Sequence, residues 1–317
     1  MTDERNARAA LAPTQFHPSR FESFRYAYPA VSRRARGVSI GVNLSPTKLC
    51  NFRCVYCQVQ RGERASEIAT AVSDRDGDSS VDVLRRAVDA PARVDLDALE
   101  RETTSLARAV LSGALFERPR FAATPLSNRV LRDFAFSGDG EPTLARQFPE
   151  VVDRLVAARR ELNYDPLKLV LITNATRLRV PEVASALDRL AVANGEIWTK
   201  LDATNDAQLR AINRTRVEFE TIFDNIVYAS QRWSVKIQTA LFSWRGCAPT
   251  RAELDEYCGT LARVLSAGGR INAIQLYTVA REPVESAAVA LPNEFMDEFA
   301  SVVRAETGLE VEVFYSR

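Results

Sequence analysis

From residue 38 onward the chain alternates short β-rich runs with longer amphipathic stretches, and this alternation restricts its fold more than any other feature. Val38, Ile40, Val42 and Leu44 recur at period two, and further strand patterns follow at 134–137, 168–173, 196–201, 235–241 and 273–279. Leu169, Val170, Leu171 and Ile172 run without a polar residue, as in a parallel strand buried on both faces. Helical patterns lie at 96–111, 144–161, 181–193, 204–232, 250–267 and 292–305. In the first of these, Leu96, Leu99, Leu106 and Val110 share one face behind Asp95, a residue suited to the N-cap. Six strands separated by helices predict an α/β fold with parallel pairing and right-handed crossovers. An eight-unit barrel takes about 250 residues, so six units need roughly 190 and leave room for an insertion. That insertion is read at 62–91, rich in Asp, Ser and Arg, as a loop or lid. The organisation expected is an N-terminal arm at 1–37, a barrel at 38–290, and a C-terminal helix and strand packed on it at 291–317.

Composition narrows the class. Hydrophobic residues make up 46% and charged residues 26%, enough for a large core. Lys and Arg total 42 against 41 Asp and Glu, a net charge of +1 that excludes wholesale attraction to nucleic acid or anionic lipid. Residues 1–11 mix charges with alanines and lack the apolar core of a secretory signal. No run of about 18 apolar residues occurs, so no membrane span is expected. Of the five cysteines, three crowd into eight positions, which suits metal binding in a reducing cytoplasm better than a disulfide framework.

Those three are Cys50, Cys54 and Cys57, in Cys50-Asn51-Phe52-Arg53-Cys54-Val55-Tyr56-Cys57, just after the first strand. Three thiolates on one tight loop can ligate three irons of a [4Fe-4S] cube and leave the fourth open to chemistry. A structural zinc site needs a fourth ligand. The one histidine, His17, stands far upstream, so the ligand count favours the cluster. Cys247 and Cys258 are too few for a second cluster and are expected to be buried small hydrophobes.

The later strand ends carry polar residues. The second runs into Gly138-Asp139-Gly140-Glu141-Pro142, where the glycines admit close backbone approach. The third ends in Thr173-Asn174-Ala175. At the fourth, Lys200 and Asp202 lie two apart on one strand face, either as ligand-binding groups or as an ion pair sealing the mouth. Lys200 is one of four lysines, with Lys48, Lys168 and Lys236, in a chain that otherwise prefers arginine. Gln238, Gln275 and Tyr277 interrupt apolar strands, and they either face a substrate or satisfy one another.

The cysteine loop, with aromatic Tyr56 before the third cysteine, resembles the signature of the radical S-adenosylmethionine (SAM) superfamily. That resemblance implies a partial (β/α)6 TIM-like barrel, in agreement with the strand count. It also implies a [4Fe-4S] cluster whose open iron is chelated by the amino and carboxylate groups of SAM. An electron from the cluster then cleaves SAM to methionine and a 5′-deoxyadenosyl radical, which abstracts hydrogen from a substrate. Gly138, Gly140 and Glu141 resemble the superfamily's Gly-Gly-Glu-Pro element, which pairs with the SAM amino group, although Asp139 intervenes here. Tyr56, Asn174, Lys200 and Asp202 are the other implied cofactor contacts, with Lys200 suited to the carboxylate and Asp202 to ribose hydroxyls. An electron donor such as flavodoxin or ferredoxin is implied. The substrate and any catalytic residue acting on it stay unassigned.

The longer pattern, from Val31-Ser32-Arg33-Arg34 through Gly37 to Val59, resembles the bacterial radical SAM proteins grouped with wyosine (tRNA) synthase, as do 136–144, 200–203 and 274–281. Wyosine synthases proper carry a second cluster on cysteines preceding this loop, and no cysteine precedes Cys50 here. Arg20, Arg25, Arg33, Arg34 and Arg36 interleave with Phe21, Phe24, Tyr26 and Tyr28, a pattern that serves RNA binding or packing across the barrel. The net charge of +1 favours packing. The alternatives carried forward are an RNA-modifying enzyme and a non-catalytic, metal-stabilised scaffold.

Overall fold

A computed structural model describes residues 21–45, 48–60 and 93–316. The insertion read at 62–91 and His17 lie outside the described residues. The strands are β1 (Ala27–Ser32), β2 (Gly37–Val42), β3 (Leu131–Phe136), β4 (Lys168–Thr173), β5 (Gly195–Lys200), β6 (Val235–Ala240), β7 (Phe242–Trp244), β8 (Ile271–Tyr277), β9 (Ala288–Ala290) and β10 (Val311–Phe314). The longer helices are α1 (Leu96–Leu111), α2 (Phe148–Leu162), α3 (Pro181–Val192), α4 (Phe219–Arg232), α5 (Arg251–Ser266) and α6 (Asn293–Thr307).

One eight-stranded sheet has the order β1-β2-β3-β4-β5-β6-β8-β10, in which every pair is parallel except β1 with β2. Six β-α units therefore run from β2 to α6, and β10 closes the series as a seventh parallel strand. The sheet curls into a partial TIM-like barrel, and residues of both edge strands, Tyr28 and Phe314, line the same interior cavity. Strand alternation sorts the core into two faces. Phe134, Phe136, Leu169, Leu171 and Ile197 pack outward beneath the helices, while Ala135, Val170, Ile172 and Trp198 form a separate interior cluster.

Local signals place the helices. The Asp95 side chain caps α1 by accepting from the Ala98 N–H at 2.9 Å. Thr250 and Glu253 form a reciprocal capping box on α5. The pattern at 204–232 does not make one helix. A short turn, a turn of π-helix at Leu209–Asn213 and α4 replace it, because Arg214 takes a left-handed conformation (φ 49°, ψ 50°) that ends the first segment.

The barrel floor is sealed by charge. Glu196 on β5 accepts from Lys168 Nζ and, at 3.0 Å, from the Trp198 indole N–H, with Lys236 Nζ at 3.7 Å. The gap between the edge strands is crossed by side chains of the β1–β2 turn. Arg33 donates to the Tyr315 carbonyl, Arg36 pairs with Glu312 at 3.0 Å, and Arg34 stacks 5.3 Å over the Tyr277 ring. Phe21 and Tyr26 are buried in the core, and Tyr28 is buried at the wall of the cavity. Residues 27–32 form β1, paired to β2, so this part of the N-terminal segment belongs to the sheet.

Candidate active site

The cysteine loop lies at the C-terminal ends of the parallel strands and borders a cavity of about 370 Å³. Cys50, Cys54 and Cys57 all line this cavity, together with Tyr56, Gly138, Gly140, Glu141, Asn174 and Lys200. Backbone contacts pin the loop on two sides. The Leu49 carbonyl accepts from the Glu141 N–H at 3.0 Å, while Arg53 and Val55 donate to the carbonyls of Asn213 and Ile212 at 2.8 and 2.9 Å. Each sulfur meets an N–H donor: Phe52 N–H to Cys50 at 3.4 Å, Asn213 Nδ2 to Cys54 at 3.3 Å and Val59 N–H to Cys57 at 3.5 Å.

Burial pushes the Cys54 thiol up to about 12, and the charges of Asp202, Cys57 and Cys50 add to the rise. Metal ligation removes that proton because a positive centre offsets the cost of the buried thiolate. Among the described residues, no three His, Cys, Asp or Glu side chains gather closely enough to hold a single metal ion.

The segment after β3 docks on the loop. A Cβ on Gly140 would stand 1.9 Å from the Leu49 carbonyl oxygen, so the backbone preceding Cys50 by itself requires glycine there. Gly138 adopts φ 142° with the Asn43 side chain where a Cβ would be. Asp139, the residue that departs from the Gly-Gly-Glu-Pro pattern, gives its carboxylate to Asn43 Nδ2 at 2.9 Å.

Glu141 is buried and braces two strand ends. Its Oε1 accepts from Thr143 N–H and Oγ1 and from Thr173 Oγ1, at 3.2, 2.6 and 2.7 Å, whereas Oε2 accepts from the Asn174 N–H alone, at 2.8 Å. Burial raises its pKa against the pull of these donors. The Asn174 side chain donates to Asn51 Oδ1 at 2.7 Å, tying β4 to the cysteine loop. Ala175 takes φ 66° immediately after it.

Lys200 and Asp202 do not pair directly. Lys200 Nζ donates to the hydroxyls of Tyr277 and, at 3.3 Å, Tyr56. Tyr56 in turn donates to Asp202 Oδ2, and the other Asp202 oxygen accepts from the Ala240 N–H at 2.9 Å. Burial works against the Lys200 charge, but Tyr277 and Asp202 outweigh it and hold its pKa above the usual lysine value. Gln238 donates through Nε2 to Gln275 Oε1 at 2.8 Å, and Gln275 Nε2 donates to Glu312 at 3.2 Å. Gln275 therefore sits in a polar layer, Gln238 both joins that layer and lines the cavity, and Tyr277 belongs to the lysine site. Cys258 is buried, but Cys247 is exposed in the turn after β7, where Trp244 and Cys247 exchange backbone hydrogen bonds.

Reading the sequence alone overlooked Asn213 and Asp133. Asp133 is buried, lines the cavity and takes the Ser39 hydroxyl, and burial raises it to about 7 against that hydrogen bond. A polar residue at an inward position of β3 was the available signal. Asn213 had none, since its role depends on a turn of π-helix.

No protein-family model matches the chain. It is similar to a protein named GTPase Obg from Brachyspira hyodysenteriae, 22% identical over 297 residues, covering 93% of this chain and 36% of that protein. It is also similar to UPF0026 protein slr1464 from Synechocystis sp., 26% identical over 228 residues, covering 68% and 64% respectively. The chain thus spans less than two thirds of either relative's length. Among solved structures it is similar to TYW1 with a lysine-pyruvate adduct bound (14% identity, 86% of this chain and 74% of that chain, TM-score 0.47). Archaeal TYW1 gives 11% identity, 86% and 73% coverage, and a TM-score of 0.46.

Proposed function

We propose that the chain is a radical SAM enzyme that holds one [4Fe-4S] cluster on Cys50, Cys54 and Cys57 and uses SAM to abstract hydrogen from its substrate. The observation that carries this reading is the set of three cavity-lining sulfurs, each met by an N–H donor, at the C-terminal mouth of a parallel barrel. Hydrogen bonds of this kind suit a thiolate that stays ligated. When bound, the cluster and SAM supply one-electron cleavage of a carbon–sulfur bond to a 5′-deoxyadenosyl radical, and a one-electron donor of the flavodoxin or ferredoxin class supplies the electron.

The chain's own groups bind and orient. Lys200 offers a buried cation to the SAM carboxylate, and Asp202, fixed by Tyr56 and the Ala240 N–H, offers an acceptor to the ribose. Glu141 Oε2, with one protein donor against three on Oε1, offers an acceptor to the amino group while the rest of the carboxylate braces β3 against β4. Tyr56 stacks at 5.2 Å on Phe242 and helps keep water from the mouth. No helix among the described residues is long and apolar enough to cross a membrane.

Anaerobic reconstitution should load about four irons per chain, and a reductant with SAM should then release 5′-deoxyadenosine. Replacing all three loop cysteines by alanine should abolish both. Stoichiometric zinc without iron would instead establish a metal-stabilised scaffold. Adding fractionated cell metabolites or RNA locates the substrate in whichever fraction raises 5′-deoxyadenosine output.

A further inference from the structure

Asn213 is 1% exposed and ends the turn of π-helix, with the left-handed Arg214 after it. Its carbonyl and that of Ile212 take the N–H groups of Arg53 and Val55, so the backbone on both sides of Cys54 is pinned to this turn. The side-chain Nδ2 then donates to Cys54 Sγ and to Asp202 Oδ2, each at 3.3 Å. An ionised carboxylate only accepts, so Asp202 fixes which way the amide faces. Flipping it would set Oδ1 against a carboxylate oxygen and a sulfur. The sulfurs of Cys50 and Cys57 receive their donors from backbone two residues ahead. Cys54 receives its donor from a side chain 159 positions away, which substitution can remove without altering the loop.

We infer that Asn213 sets the reduction potential of the cluster through its hydrogen bond to Cys54, which rests on the cluster reading above. Reduction adds one electron, shared with the ligating sulfurs, and an N–H dipole aimed at a sulfur stabilises that added negative charge. Losing the donor makes the cluster harder to reduce. Asn213 is thus a tuning residue outside the chemistry itself.

The test is an EPR-monitored redox titration of reconstituted wild-type protein and Asn213→Leu, with iron counted in both. At equal iron content, Asn213→Leu should lower the reduction equilibrium constant by three- to tenfold, the upper end being about 59 mV for a one-electron couple. An unchanged potential overturns the inference while leaving the cluster reading intact. Failure of wild-type protein to load iron overturns both. If Asn213→Leu does not load, Asn213→Ala removes the donor with less bulk and must show the same downward shift.

Discussion

The floor and the mouth of the barrel both set a lysine beside a carboxylate on β5, and they use the pair differently. At the floor, Lys168 and Lys236 converge on Glu196 and the Trp198 indole completes its shell, so the charges are spent on one another. At the mouth, Lys200 donates to two tyrosine hydroxyls, and the Asp202 carboxylate is engaged separately by Tyr56, Asn213 and Ala240. Neutral hydroxyls keep the two charges apart: Lys200 lines the cavity, while Asp202 is held by its three donors and is not among the lining residues.

The most severe way to break the mouth without touching its charges is Gly140→Val. The new side chain must displace the backbone before Cys50, and overpacking of this kind costs about 3 kcal/mol or more. Denaturant midpoint and iron content should fall together. A stable, iron-replete variant would show that Gly140 does not hold the loop.

Lys200→Met keeps side-chain volume and removes the cation. SAM affinity should weaken by about tenfold to a hundredfold, the loss of a charge-assisted partner worth roughly 1.5–3 kcal/mol, with iron unchanged. A lowered melting temperature with normal SAM affinity would make Lys200 a second floor-type residue.

Glu196→Gln tests the floor and should leave iron and SAM binding alone. Stability at pH 7 should fall by about 1–2 kcal/mol, discounted because the Lys168 side chain is 42% exposed. Burial alone would raise the Glu196 pKa, but Lys168, Trp198 and Lys236 overcome it and hold it below the ordinary 4.5. A depressed carboxylate contributes its stability above the unfolded pKa and loses it as pH falls through the folded one. The gap between wild type and variant should therefore be full at pH 7 and close below about pH 4.5. A gap that widens on acidification would reverse the assignment.

Cys247→Ser should be the mildest change. This thiol is exposed and does not line the cavity, so stability should move by less than about 0.5 kcal/mol and iron not at all. Loss of iron in this variant would place a cluster ligand outside the cysteine loop.

Six of the seven parallel strands were legible from apolar runs or period-two alternation, with limits that differ by a few residues from the pattern, whereas β10, expected only to pack on the barrel, joins the sheet beside β8. β1 was not, since Ala27–Ser32 holds a proline among mixed residues and forms an antiparallel edge. β7 and β9 have three residues each, too few for a period. In the site, Cys50, Cys54 and Cys57 were legible from spacing alone, and Lys200 from its place at a strand end. The hydroxyl bridge between Lys200 and Asp202 was not, because Tyr56 and Tyr277 reach it from elements 144 and 77 positions away. The Leu49 contact that demands Gly140 was not legible for the same cause, since it exists only after folding.

The arginines of the β1–β2 turn close the barrel with side chains in place of a backbone ladder. A cylinder closed by a backbone ladder has a circumference fixed by its strand count and stagger. Here the last interval, between β1 and β10, is crossed by guanidinium groups, and the Arg36 side chain is 73% exposed. Exposed ion pairs weaken as salt rises. Of the three arginine contacts, Arg36–Glu312 is the ion pair that salt screens, whereas Arg33 reaches a backbone carbonyl and Arg34 an aromatic ring.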